Sequence, residues 1–95
     1  MHVLILKMKL KVSWCHSLKE KRMVLRSIIQ RLKNKFNVSV SEVEEQDIHQ
    51  IVVIGITVVS SDGKQIDSIK ESIINFVEED TEPELIDIEY DSFAF

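Results

Sequence analysis

The hydrophobic spacing of this chain switches from every second residue to every third or fourth and back, twice, and few folds accommodate that. From Val3 to Val12, Leu4, Leu6, Met8, Leu10 and Val12 share one side while Val3, Ile5, Lys7, Lys9 and Lys11 share the other, the pattern of a half-buried strand. Ser17-Leu18-Lys19-Glu20 then has the form of a capping box, in which the hydroxyl accepts from the amide three residues on and the Glu reaches back. Leu18, Leu25, Ile28, Ile29 and Leu32 follow on one arc at about 100° per residue, which predicts a helix to around Asn34. Phe36, Val38 and Val40 alternate against Asn37, Ser39 and Ser41, predicting a strand from Phe36 to about Glu44. Gln50 to Ser60 is apolar on both faces and rich in Ile and Val, as a strand flanked by neighbours requires. Asp62 and Gln65 open a second helix with Ile66, Ile69, Ile73, Phe76 and Val77 at helical spacing. Thr81-Glu82-Pro83 breaks it, and Ile86, Ile88 and Tyr90 alternate with Asp87, Glu89 and Asp91 in a last strand.

The order β-α-β-β-α-β predicts an α+β, ferredoxin-like sandwich: a four-stranded antiparallel sheet with both helices on one face. The chain of 95 residues has room for a single domain, 1–95. In that topology the first and last strands are neighbours, so Lys7, Lys9 and Lys11 are expected beside Asp87, Glu89 and Asp91 on the open face. At this length only about 60 to 65% of the unfolded surface is buried, and most apolar residues must serve one core.

Composition removes several functions. Two glycines rule out a glycine-rich phosphate loop, and the lone Cys15 has neither a disulfide partner nor a second thiol for a metal quartet. His2, His16 and His49 are too scattered for a metal motif, so no metal and no cofactor is expected. Lys7, Lys9 and Lys11 interrupt any signal-peptide core, and the longest apolar run, Ile51 to Val59, falls far short of the roughly 20 residues of a membrane helix. A soluble cytoplasmic protein is the expectation.

Charge is segregated along the chain. Residues 1–35 hold ten Lys or Arg against one acid, Glu20, whereas residues 36–95 hold Lys64 and Lys70 against fifteen acids; the segments carry +9 and −13, and the whole chain −4. A local patch acts over a Debye length of about 8 to 10 Å, so distribution outweighs the total. On the first helix Lys19, Arg22, Arg26 and Lys33 lie within about 80° of arc. Three readings stand: a solvated face, a row that neutralises RNA phosphates, or a face compensated by Asp67, Glu71 and Glu78 of the second helix, within one chain or between two copies.

Other positions carry paired readings too. Lys21 falls among Leu18, Leu25 and Leu32; either it snorkels past the helix end, or its amine is held beside a carboxylate for ligand contact. Trp14-Cys15-His16-Ser17 runs into a helix N-terminus, where Ser17 capping competes with a phosphate held near His16 and Lys19, and where Trp14 either stacks on a base or packs as a satellite of the core. Cys15 and His16 lack a third orienting group, which argues against nucleophilic catalysis. Glu42, Glu44, Glu45 and Asp47 match no calcium loop and read as an exposed hairpin end.

The string His16-Ser17-Leu18-Lys19-Glu20-Lys21-Arg22, then Lys35-Phe36-Asn37-Val38-Ser39-Val40-Ser41-Glu42-Val43 and Gln46-Asp47, resembles the YlxP-like family of small bacterial proteins of unknown function. The resemblance spans nearly the whole chain, and departs from the family pattern at His49, where an aromatic is usual, and at Ser13-Trp14, where Pro-Gly is common. It implies a ferredoxin-like domain in a bacterial cytoplasm with no established enzymatic activity, and a link to the ribosome through gene order. Together these readings lead to a non-enzymatic protein that touches ribosomal RNA or a ribosome-assembly intermediate through Lys19, Arg22, Arg26 and Lys33, helped by Trp14 and His16. The rival is a self-associating module, a homodimer or protein-binding domain using the open sheet face or a strand edge.

Overall fold

The computed structural model describes residues Met1–Phe95 and has the expected order: β1 His2–Lys11, α1 Leu18–Lys35, β2 Ser39–Glu44, β3 Ile51–Ser60, α2 Gly63–Asp80 and β4 Glu84–Ala94. The sheet runs β2-β3-β1-β4 with every pair antiparallel, the ferredoxin-like arrangement. Leu4, Leu6, Met8 and Leu10 of β1 stand opposite Val58, Ile56, Ile54 and Val52 of β3, and all eight are buried beneath the helices. Ile28 and Leu32 of α1 and Ile66, Ile73 and Val77 of α2 close the core from above. Each such side chain contributes about 1.5 to 3 kcal/mol of burial, which sets the register, because a slip of one residue exposes a whole row.

The helix starts follow local chemistry. Ser17 is extended, its hydroxyl accepts from the Glu20 amide at 3.1 Å, and the Glu20 carboxylate accepts from the His16 amide at 3.1 Å, one residue further back than a simple capping box. Asp62 caps α2 by accepting from the Lys64 amide at 2.9 Å. α1 ends at Phe36, whose amide still donates to Leu32 while its backbone turns extended, so β2 begins at Ser39 and not at Phe36. Phe36 instead packs edge-on against Phe76 of α2, with ring centroids 5.9 Å apart.

Two irregularities displace single residues. Between Glu42 and Glu44 the pairing of β2 with β3 skips Val43, and between Lys9 and Leu10 the pairing of β1 with β4 skips Ile86. Lys7 faces Glu89 and Lys9 faces Asp87 as expected; beyond the second shift Lys11 faces Glu84, and at the other end the unbroken register sets Asp91 opposite Ile5. Val43 lies over Gly55, where an added Cβ would stand 2.9 Å from its Cγ1. That close approach is what requires glycine in the middle of β3.

Candidate nucleic-acid interface

The four cations of the first-helix stripe are all exposed, and none lies within 4.0 Å of an acid of the same chain. Their side of α1 is fixed by the residues on its opposite side. Arg31 donates to the Asp80 carbonyl and lies 5.4 Å from the Phe76 ring centroid, and the Lys35 ammonium is 5.0 Å from the same ring. Those contacts turn one flank of α1 toward α2. On the helical wheel Lys19, Arg22, Arg26 and Lys33 fall roughly 120 to 180° from Arg31, so they look away from α2 along the flank above β2.

The acids of α2 are turned the other way. Phe76 faces α1, whereas Lys70 lies 4.0 Å above the Tyr90 ring on β4, and Asp67, Glu71 and Glu78 follow Lys70 round that outer side. No ion pair joins the α1 stripe to Asp67, Glu71 or Glu78, so compensation between the helices is absent from this chain. Between the two helices charge is thereby sorted in space: the α1 row over the β2 flank, Asp67, Glu71 and Glu78 over the β4 flank.

At the front of α1, Trp14 is 44% exposed and His16 is exposed, on the same end of the helix as Lys19. The helix N-terminus itself is taken by Ser17 and by the Glu20 carboxylate, so the chain supplies its own anion there. Cys15 is wholly buried, and burial first, then the charge of Glu20, pushes its thiol pKa up, against a smaller opposing effect of Lys21. A raised thiol is a poor nucleophile.

Lys21 corrects the expectation of snorkelling. It is 1% exposed, and its ammonium group donates to the carbonyls of Glu45 at 2.7 Å, Ile48 at 2.7 Å and Gln46 at 3.4 Å. Three carbonyls use the three N–H groups. The Glu42 carboxylate lies 3.0 Å from the same nitrogen but without hydrogen-bond geometry, which leaves charge attraction alone between them. The lysine is therefore an internal peg that holds the 45–48 loop, where Glu45 takes the left-handed φ of 59°, onto α1. Its periodicity placed it in the core, and the alternation of β2, which sets Glu42 on the same side as buried Val40, supplies its counter-charge.

The 42–47 acids are dispersed by the same geometry. Glu42 points to Lys21 inside, Glu44 reaches Lys7 on the open face at 3.0 Å, and Glu45 contributes its carbonyl. No three His, Cys, Asp or Glu side chains converge as metal ligands. Lys7 also lies 3.7 Å from Glu89, and its hydrogen bond to Glu44, with that carboxylate's charge and then Glu89's, raises its pKa. Beyond this cluster the open face holds a shallow concavity of about 600 Å³ between Ile5, Val43, Gly55 and Thr57. The middle strands β1 and β3 bear no Phe, Tyr or Trp, and His2 stands at the very end of β1, so the sheet offers no central platform for stacked bases. No helix is long and apolar enough to cross a membrane.

Fold and charge thus define a small ferredoxin-like α+β domain with one cationic helix face left free of internal partners. Residues 3–90 match the model of a family described as "Protein of unknown function (DUF503)", and the chain belongs to that family. It is 45% identical over 69 residues to the "Uncharacterized protein YlxP" of Bacillus subtilis (strain 168), a match covering 73% of each chain. The resemblance to the YlxP-like family is thereby established.

Proposed function

We propose that this is a non-enzymatic cytoplasmic protein that binds structured RNA, in ribosomal RNA or a ribosome-assembly intermediate, through the outer flank of α1. The observation that carries the reading is the freedom of Lys19, Arg22, Arg26 and Lys33: four exposed cations in one row, with Asp67, Glu71 and Glu78 of α2 turned to the opposite flank. α1 has 18 residues, and at about 1.5 Å rise per residue the row from Lys19 to Lys33 spans about 21 Å, long enough for several phosphates. Exposed Trp14 and His16 extend the same end. The buried Cys15 with its raised pKa supports a binding role over nucleophilic chemistry. Fluorescence anisotropy with a structured RNA tests it: the wild type binds, and reversal of all four charges abolishes binding. Equal binding by the reversed variant, or none by the wild type, defeats the reading.

A second reading has its own observation. On the open face Ile5, Val59 and Phe93 are 43%, 62% and 46% exposed and lie on neighbouring strands, an apolar end that a second copy covering the face would bury. Light scattering separates the two, because an obligate dimer indifferent to RNA supports self-association.

A further inference from the structure

The outer edge of β4 is the longest unpaired strand edge of the molecule: its 11 residues hydrogen-bond to β1 on one side only. Such an edge presents a row of free backbone donors and acceptors to any extended chain. What it selects is written in its side chains. On the open face Asp87, Glu89 and Asp91 form a row with Lys9, Lys7 and Ile5 on the inner side and nothing on the outer side. Only Glu89 makes an ion pair, with Lys7 at 3.7 Å. On the other face Ile88 is half-buried and Tyr90 is 58% exposed, an apolar ledge beside the acidic outer flank of α2.

We propose that β4 accepts a basic extended segment of another protein, which adds as a fifth strand with Lys or Arg at alternate positions against Asp87, Glu89 and Asp91 and apolar residues against Ile88 and Tyr90. Added there, the segment continues across the sheet the alternation of cation and anion that Lys7 and Glu89 begin. A second copy of this chain is the wrong occupant. Two β4 strands joined antiparallel about a twofold axis must oppose odd positions to odd ones to keep both open faces together, which sets acid against acid at Asp87, Glu89 and Asp91 in the central registers. The edge is thus protected from self-pairing and complementary to a partner of opposite charge. The α1 flank plays no part in it, so this site stands or falls apart from RNA binding.

The probe is a short peptide of alternating Lys and Val, titrated into the full chain while backbone amide shifts are followed by nuclear magnetic resonance. The expected result is salt-dependent saturation with shifts and slowed exchange along β4, and affinity weakened on the order of five- to tenfold in the exposed-site variant Asp87→Asn with Asp91→Asn. An alternating Glu and Val peptide should not bind, and Pro in place of the central Val should remove binding at unchanged charge. Shifts confined to other surfaces overturn the assignment, as do equal affinity for the Asn variant, equal affinity for the Pro-containing peptide, or concentration-dependent β4 shifts without peptide, which would mark a second copy on the edge.

Discussion

Replacing Lys21 by Met keeps an aliphatic stem in the core and deletes the ammonium group that joins α1 to the 45–48 loop. The carbonyls of Gln46 and Ile48 lose their donor, that of Glu45 keeps only the Ile48 amide, and Glu42 keeps its charge without the cation 3.0 Å away. Removing one partner of a buried pair costs about 3 to 5 kcal/mol. Glu42 is 19% exposed and can turn toward water, which places this case near the lower figure, about 3 kcal/mol. A domain of this size holds about 5 to 14 kcal/mol in all, so urea unfolding should show a large fall in midpoint and thermal unfolding a drop of about 12 to 24 °C. Glu42→Gln should cost less, about 1 kcal/mol, because the carbonyls and not the carboxylate take the hydrogen bonds. Loss of under about 1 kcal/mol in Lys21→Met, or a larger loss in Glu42→Gln, would refute this account of the peg.

Two further outcomes follow from single contacts. Cys15 should resist alkylation at pH 8 in the folded protein and react once urea unfolds it. Its thiol pKa is raised on folding, so its contribution to stability is full below the unfolded value near 9.0 and declines as pH climbs from there toward the folded value; a Cys15→Ser variant with an unchanged alkaline limb in its stability profile would contradict this. Gly55→Ala should destabilise by about 1 to 2 kcal/mol through the 2.9 Å clash with Val43, and Val43→Ala in the same chain should recover most of it; additive losses would place the strain elsewhere.

Much of this was legible from spacing alone. The alternation of Leu4 to Val12, the Ser17 and Asp62 caps and the two-faced run from Ile51 to Ser60 specify element order, because burial and capping are local demands that a sequence states directly. The stripe of Lys19, Arg22, Arg26 and Lys33 was legible for the same reason, since helical angles follow from numbering. What spacing does not state is register between distant strands. The skipped Val43 swings Glu44 to the open face beside Lys7 and the skipped Ile86 brings Glu84 opposite Lys11, and both depend on non-local pairing. The fate of Lys21 is the clearest case: its position among leucines signalled burial, but its acceptors are backbone carbonyls of a loop more than twenty residues away, whose conformation includes the left-handed Glu45. Which helix flank faces its neighbour was equally hidden until Phe76 and Tyr90 marked the two sides of α2.

The salt dependence of RNA affinity bears most directly on the cationic flank of α1. Four phosphate contacts should give a slope of log affinity against log salt of about −3, and changing Lys19, Arg22, Arg26 and Lys33 to Gln should bring that slope close to zero. A slope that survives the four substitutions, or affinity indifferent to salt in the unaltered chain, would contradict RNA recognition by this face.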